Sequence, residues 1–323
     1  MNQFDPVSKL ILQPEYLVAV QQKDWSLPPA LVEISPTNSC NASCDWCFYV
    51  HSSYKQHHSQ EHLPLEVLKR TLSELRSIGC KAVSWSGGGD PSVYPWINDA
   101  ISHAHELGLK QGMFTNAYKP ISHPEFLDWI RVTVTEKFVI TKHVAEYAKK
   151  THVGVNFNLS NSNRQHLDSM VEQAKLAGVQ YFQFRPALAD TFDQQETIER
   201  PDAAALSSKH GISIEDTDYK WQDYLSPHGY SVCFGHLVCP FIWFDGRVDV
   251  CAYHHSDAER YSFGNLNENS FAEIWSGSRR LAMLEAGIPV TKQCQHCCKN
   301  HLANRTLAFV AGEISPPLHR EFI

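Results

Sequence analysis

Short strand patterns alternate with amphipathic helix patterns from residue 30 to residue 187, and this alternation limits the fold more than any other feature of the chain. Strands are predicted at 30–35, 81–86, 109–115, 131–134, 153–159 and 179–185, with helix patterns in the intervals. Strands joined by helices pair in parallel, because a parallel connection needs a crossover of a dozen or more residues. About six such units predict an α/β fold whose parallel sheet is open or curled into a partial barrel, with its chemistry at the carboxyl ends of the strands.

The first predicted strand runs directly into a loop with the spacing CxxxCxxC, formed by Cys40, Cys44 and Cys47. Three thiolates in eight residues can bind three irons of a [4Fe–4S] cluster and leave the fourth iron open. A zinc site that pairs Cys44 and Cys47 with Cys294 and Cys297 is disfavoured, because zinc ribbons separate their two pairs by roughly 15–20 residues. A disulfide framework is disfavoured because a chain of 323 residues needs no such staples.

A glycine run, Gly87-Gly88-Gly89-Asp90, follows the second predicted strand and would let backbone amides approach a ligand closely. Alone, such a run is most often a tight turn. Together with the cysteine loop one βα unit earlier, and with the aromatic Trp46 before the third cysteine, it resembles the signature of the radical SAM superfamily. Asp90 stands where glutamate is commoner in that family, so the carboxylate is retained with a reach one methylene shorter.

This resemblance implies a partial (β/α)6 barrel over residues 30–187, a [4Fe–4S] cluster on the three cysteines, and S-adenosylmethionine (SAM) chelated at the open iron. Reductive cleavage of SAM would then give a 5′-deoxyadenosyl radical that abstracts a hydrogen atom from the substrate. The residues that the resemblance places around SAM are Trp46, Gly87, Gly88, Gly89, Asp90, Thr115, Asn116, Asn156, Asn158 and Arg185. Arg185 suits a bidentate carboxylate contact, whereas the strand-end asparagines fit a capping role equally well.

A second group of cysteines lies beyond residue 230, around a β-hairpin pattern centred on Asp245-Gly246. The spacing is similar to the twitch form of the SPASM-type extension, which carries one auxiliary Fe–S cluster. The resemblance covers residues 231–302 and implies a small hairpin-plus-helix domain. Its predicted cluster ligands are Cys233, Cys251, Cys294 and Cys297.

Two alternatives to this ligand set stay open. If Asp245-Gly246 is a two-residue turn, Cys251 lies opposite Pro240 and Cys239 faces the other side of the hairpin, whereas a bulge would reverse that conclusion. Cys239 and Cys298 are therefore alternative ligands or hydrogen-atom donors to a substrate radical. A structural zinc ion on the same four thiols is the competing interpretation of the site.

Composition and charge limit the partners and the domain organisation. The net charge of −7 argues against nucleic acid, and without an apolar run of about 18 residues we expect no membrane span. The N-terminus lacks a signal-peptide pattern, so a cytoplasmic protein with reduced cysteines is expected. The predicted divisions are an N-terminal arm (1–29), the barrel (30–187), a bridging segment (188–230), the auxiliary domain (231–302) and a C-terminal tail (303–323).

These features together predict a radical SAM enzyme that receives electrons from a reductant such as flavodoxin or ferredoxin. With the auxiliary cluster as electron acceptor, it would oxidise or rearrange a small hydroxylated molecule of the aminocyclitol, sugar or nucleoside type. A peptide-modifying enzyme without a leader-binding domain and a redox-neutral epimerase or dehydratase are the alternative enzymes. The competing class is a non-catalytic zinc or Fe–S protein, which would not cleave SAM.

Overall fold

The computed structural model describes residues 5–44, 47, 49, 58–134, 140–187, 196–216, 221, 228–291, 294 and 298–315. The strands in this part of the chain are β1 (Leu31–Ile34), β2 (Ala82–Trp85), β3 (Lys110–Thr115), β4 (Trp129–Val134), β5 (His152–Leu159), β6 (Tyr181–Pro186), β7 (Ser213–Asp216), β8 (Phe241–Ile242), β9 (Arg247–Asp249) and β10 (Ser262–Asn265). They form a single sheet in the order β10-β9-β8-β1-β2-β3-β4-β5-β6-β7.

The α/β class and the parallel sheet predicted from the sequence are confirmed. Strands β1 to β6 coincide with the six predicted strands to within two residues at each end. Neighbouring strands from β8 through β1 to β7 are parallel, while β9 and β10 continue the sheet antiparallel. Because the strand order ends at β10 and β7, the barrel is partial.

Two parallel strands lie outside the six predicted units. Strand β7 pairs with β6 and lies inside the predicted bridging segment. The acidic composition of that segment gave no strand prediction there. Strand β8 comes from the predicted auxiliary domain and pairs with β1, with Phe241 opposite Glu33. The auxiliary hairpin is therefore hydrogen-bonded to the strand that leads into the cysteine loop.

Helices cover the outer face of this sheet and both chain ends. They are α1 (Pro6–Ile11), α2 (Glu15–Gln22), α3 (Leu65–Ser77), α4 (Ile97–Glu106), α5 (Lys142–Ala148), α6 (Leu167–Leu176), α7 (Ala203–His210), α8 (Gly235–Val238), α9 (Ala258–Tyr261), α10 (Phe271–Ser276), α11 (Ser278–Ala286) and α12 (His301–Val310). In α3, Leu68, Leu72 and Leu75 are fully buried against outward-facing strand residues, as their spacing predicts. None of the helices in the described ranges is both long and apolar enough to cross a membrane.

Successive residues of a strand point to opposite faces of the sheet. Their side chains therefore lie alternately in the main hydrophobic core, under the helices, and on the inner face of the partial barrel. Val83 and Trp85 of β2 belong to the main core, whereas Ser84 and Ser86 lie on the inner face. The same alternation places Glu33, Asn156, Asn158 and Arg185 on the inner face. This inner face is therefore polar at the carboxyl ends of the strands.

The first two helices and the last helix of the described chain pack together in a second core. Leu10, Tyr16 and Val20 of α1 and α2 contact Leu307 and Ala308 of α12. Helix α12 begins at His301, so the predicted boundary between auxiliary domain and tail at 302/303 falls inside a helix.

Candidate functional site

The cysteine loop follows β1 directly. Cys40, Cys44 and Cys47 form no disulfide bonds within the described structure and are half-buried, and the Cys47 amide donates to the Cys44 carbonyl at 3.1 Å. Burial raises the pKa of Cys40 to about 11, although the Ala42 and Asn41 amides donate hydrogen bonds to its thiol. A thiol with a raised pKa is stabilised as thiolate by a metal, which replaces its proton. Trp46 lies outside the described residues.

The backbone of the glycine run is hydrogen-bonded to the backbone of the segment that precedes Cys40. The Gly89 amide donates to the Thr37 carbonyl at 3.3 Å, and the Asp90 amide donates to the Ser39 carbonyl at 3.0 Å. A Cβ atom on Gly89 would lie 2.1 Å from the Ser39 carbonyl oxygen. Only glycine permits this approach, so the structure brings the two predicted motifs into direct contact.

The Asp90 side chain is buried and accepts hydrogen bonds within the protein. Its Oδ1 accepts from the Ser92 amide at 2.9 Å, the Ser92 hydroxyl at 2.6 Å and the Thr115 hydroxyl at 2.9 Å. Its Oδ2 accepts from the Asn116 amide at 2.6 Å. The carboxylate that the resemblance places beside SAM therefore also connects the glycine loop to the end of β3.

We expect Asp90→Asn to lower the free energy of unfolding by about 2 kcal/mol, because its amide NH2 would face N–H and O–H donors in a buried position. Denaturant titration of both proteins measures this difference. Asp99→Asn, on the exposed first turn of α4, is the matched control and should change stability by less than about 0.5 kcal/mol. Equal stability of the two variants would contradict a structural role for Asp90.

Asn116 links the end of β3 to the cysteine loop, since its Nδ2 donates to Asn41 Oδ1 at 2.8 Å. The glycine run, Thr115 and Asn116 thus form a first group of predicted SAM residues beside the cysteine loop.

A second group of predicted SAM residues lies on the inner face of β5 and β6. There Arg185 Nε donates to Asn158 Oδ1 at 2.8 Å, and Asn156 Nδ2 donates to the same oxygen at 3.1 Å. Asn156 Oδ1 is buried with no hydrogen-bond partner in the described structure. The structure thus brings the predicted SAM residues together as two groups.

The second cysteine group surrounds a small cavity. Cys233, Cys251, Cys294 and Cys298 all line it. Cys297 lies outside the described residues, and Cys239, which the structure does describe, is not among the lining residues. Three predicted ligands therefore meet at one cavity, together with the alternative ligand Cys298.

The predicted register of the hairpin is wrong by one residue. Phe241 pairs with Asp249, and the Trp243 amide donates to the Arg247 carbonyl at 2.9 Å, so the loop has three residues instead of two. Gly246 takes the left-handed φ of +86° that such a loop requires. Continuing this register would place Cys251 opposite Cys239, but the ladder ends before either residue. Cys239 instead is the C-cap of the short helix α8 and is not among the residues that line the cavity.

The thiols of this cavity are surrounded by hydrogen-bond donors. The Gly235 and His236 amides donate to Cys233, whose pKa burial raises to about 12. His254 Nε2 lies 3.2 Å from Cys294 Sγ, and the Thr291 amide lies 3.4 Å from it. Among the described residues, no three His, Cys, Asp or Glu side chains are close enough to share one metal ion. Four thiols around one cavity fit a cluster that offers a separate iron to each thiolate.

An ion pair that the sequence analysis missed joins this cavity to the barrel. Lys299, the residue after Cys298, has a buried ammonium nitrogen that pairs with Glu33 on the inner face of β1. The Ser86 hydroxyl donates to the other Glu33 oxygen at 2.5 Å, and the ammonium lies 5.5 Å from the centre of the Phe241 ring. A glutamate at an inward-facing strand position is the signal that could have indicated a buried partner.

Aromatic rings fill the space between the two cysteine groups. Tyr49, just after the cysteine loop, packs over Gly88 and stacks with Trp243 at 5.8 Å between ring centres. Trp243 contacts His255 at 4.3 Å, edge to face. Both Tyr49 and Trp243 are almost completely buried. The catalytic loop and the auxiliary hairpin are therefore held together by a packed aromatic interface.

Comparison with known families agrees with this arrangement. Residues 34–173 match the radical SAM superfamily, and residues 233–298 match the SPASM iron–sulfur cluster-binding domain. The first match contains the cysteine loop and the glycine run, and the second contains the cysteines of the auxiliary cavity. The cofactors of these domains are a [4Fe–4S] cluster with SAM and auxiliary Fe–S clusters.

Individual relatives are distant. The chain is 20% identical over 317 residues to a PqqA peptide cyclase of Xanthomonas oryzae pv. oryzae, covering 85% of this chain and 82% of the relative. It is 27% identical over 101 residues to an S-adenosylmethionine-dependent nucleotide dehydratase of Lacinutrix mariniflava, covering 29% of this chain and 21% of that protein. The structure of Streptococcus suis SuiB bound to the precursor peptide SuiA aligns with a TM-score of 0.59 at 13% identity, covering 88% of this chain and 73% of SuiB. The chain thus contains a radical SAM domain followed by a C-terminal SPASM iron–sulfur cluster-binding domain.

Proposed function

We propose that this protein is a radical SAM enzyme that modifies a peptide, using an auxiliary cluster in its SPASM domain. The observation that carries the proposal is the likeness to a PqqA peptide cyclase, which runs through both domains and covers 85% of the chain. The likeness to the nucleotide dehydratase covers only 29%. A peptide therefore replaces the small hydroxylated molecule as the first choice of substrate.

Bound SAM would supply a 5′-deoxyadenosyl radical on reductive cleavage, and an auxiliary cluster would supply an electron acceptor. Cys40, Cys44 and Cys47 would hold the catalytic cluster. Cys233, Cys251 and Cys294 would hold the auxiliary cluster, with either Cys297 or Cys298 as a fourth ligand. Tyr49 and Trp243 join the cysteine loop to the auxiliary hairpin.

The protein's own residues position the loops and side chains around the catalytic site. The contact of Gly89 with Ser39 fixes the glycine loop against the cysteine loop, and Asn116 holds Asn41 in the same loop. Arg185, oriented by Asn158, presents a guanidinium to the inner face, where a carboxylate of SAM would bind.

The test is an anaerobic assay of the reconstituted protein with SAM and either dithionite, flavodoxin or ferredoxin as the reductant. We expect 5′-deoxyadenosine formation that is accelerated by the cognate peptide, sought among short reading frames adjacent to the gene, and loss of two hydrogen atoms from that peptide by mass spectrometry. The Cys40→Ala/Cys44→Ala/Cys47→Ala variant should form neither product. Failure of the wild-type holoenzyme to form 5′-deoxyadenosine under any reductant would refute the radical mechanism.

A nucleotide is the second candidate substrate, supported by the likeness of about one hundred residues to the nucleotide dehydratase. The same assay separates the two candidates. Acceleration of 5′-deoxyadenosine formation by a panel of nucleoside triphosphates, with no response to any peptide, would favour the nucleotide.

A further inference from the structure

Cys294 has an unusual set of neighbours within the auxiliary cavity. His254 Nε2 lies 3.2 Å from Cys294 Sγ, and the Thr291 amide and hydroxyl lie 3.4 and 3.5 Å from the same sulfur. The donors that the structure gives to Cys233 are backbone amides instead. The His254 imidazole is therefore a side-chain contact to sulfur that a substitution can remove.

The direction of this hydrogen bond follows from the chemistry of the ligand. A cysteine that binds iron is a thiolate and has no proton to donate. The proton must therefore reside on His254 Nε2, which donates to the sulfur. The short separation fits a charge-assisted hydrogen bond to a sulfur acceptor.

The position of His254 is fixed by packing. Its side chain is buried, and its ring stacks on Tyr261 with 3.7 Å between ring centres and 12° between planes. Tyr261 is itself buried, and its carbonyl accepts a hydrogen bond from the Val250 amide at 2.9 Å. The imidazole consequently has little freedom to turn away from Cys294.

We propose that His254 sets the reduction potential of the auxiliary cluster by donating its Nε2–H to Cys294 Sγ. Hydrogen bonds to the sulfurs of an Fe–S cluster are among the factors that set its potential. A donor stabilises the more negative, reduced state, so His254 makes the cluster a better electron acceptor. The inference rests on the proposed function, in which Cys294 is an auxiliary ligand.

The experiment is a redox titration, followed by electron paramagnetic resonance, of the reconstituted holoenzyme and its His254 variants. The Cys40→Ala/Cys44→Ala/Cys47→Ala protein serves to assign the auxiliary signal. We expect His254→Phe to shift the equilibrium of cluster reduction at least tenfold toward the oxidised state, or ~59 mV for one electron. His254→Gln, which retains an N–H donor, should keep most of the wild-type potential.

His236→Phe is the matched control, because the substitution keeps the backbone amide that donates to Cys233 and changes only a ring that lines the same cavity and contacts Phe263. We expect its potential to stay close to that of the wild type. An unchanged potential in His254→Phe, or an equal shift in His236→Phe, would overturn the proposal.

A second measurement uses the wild-type sequence and so does not depend on how a variant folds. Pulsed electron paramagnetic resonance of the reduced auxiliary cluster, in protein labelled with ¹⁵N-histidine, should detect a coupling to His254. No histidine coupling in the wild type would refute the hydrogen bond even if His254→Phe failed to retain its cluster. Neither measurement needs a substrate, so the 5′-deoxyadenosine assay can fail while this proposal succeeds, and the reverse.

Discussion

Gly89→Ala is expected to destabilise the protein by about 3 kcal/mol and to abolish tight SAM binding. Its new Cβ atom would lie 2.1 Å from the carbonyl oxygen and 2.7 Å from the carbonyl carbon of Ser39. These are backbone atoms, so no side-chain rotation can relieve the overlap. The glycine loop would have to move away from the cysteine loop, which breaks the hydrogen bonds from Gly89 to Thr37 and from Asp90 to Ser39.

Denaturant titration of the apo-protein measures the loss of stability, and equilibrium dialysis with the reconstituted protein measures SAM affinity. Gly178→Ala is the matched control, because a Cβ atom there meets nothing within 4 Å although φ is +73°. It should cost about 1–2 kcal/mol from the left-handed backbone alone and leave SAM affinity unchanged. If Gly89→Ala binds SAM as tightly as Gly178→Ala, the close approach of the two loops is not required.

Asp249→Asn is expected to stabilise the protein, by an amount that grows as the pH rises from 3.8 to about 7. Asp249 is completely buried on β9, and neither of its carboxylate oxygens has a hydrogen-bond partner of normal geometry in the described structure, although Ser262 and Trp243 lie close enough to lower its pKa. Arg247 Nη2 lies 4.0 Å from one of them. Burial raises the pKa of Asp249 from 3.8 to about 7 in spite of this neighbouring charge.

The pKa of Asp249 is higher in the folded state than in the unfolded state. The unfolded chain therefore loses this proton near pH 3.8, whereas the folded protein keeps it until about pH 7. The folded state therefore loses stability as the pH rises through this window, by up to about 4 kcal/mol. Asparagine does not ionise, so Asp249→Asn removes this loss. The two proteins should differ least near pH 4 and most above pH 7.

The measurement is denaturant-induced unfolding of the apo-proteins at several pH values across that window. Asp245→Asn is the control, since Asp245 is partly exposed and its carboxylate pairs with Arg247 Nε at 3.0 Å. It should be neutral or slightly destabilising, with no growing gain above pH 7. Parallel stability curves for the wild type and Asp249→Asn would show that Asp249 is ionised in the folded protein.

The strands, the outward-facing helices and the contact between the two motifs could be predicted because each depends on local pattern. Leu68, Leu72 and Leu75 follow the helical repeat, and the six strand patterns lie between helix patterns of adequate length. The glycine run and the cysteine loop follow adjacent parallel strands, so their carboxyl ends meet at the same edge of the sheet. Local periodicity and strand direction suffice for these conclusions.

The hairpin register and the Lys299–Glu33 ion pair could not be predicted in the same way. A loop of two or three residues around Asp245-Gly246 satisfies the same sequence signal, and the choice shifts every cross-strand pair. Lys299 and Glu33 are 266 positions apart, and no periodicity relates them. The ion pair forms only when the chain folds and brings the segment around Lys299 against β1.

The amino-acid sequence by itself determined the family, the cofactor chemistry and the parallel sheet, because short-range spacing of cysteines, glycines and apolar residues encodes all three. Only the tertiary structure decided that Cys298 lines the auxiliary cavity, that Asp90 is hydrogen-bonded within the protein, and that His254 contacts Cys294. These contacts depend on how segments distant in sequence pack against one another. Several cysteines and histidines fit the local sequence pattern equally well, and the close-packed interior decides which of them make contact.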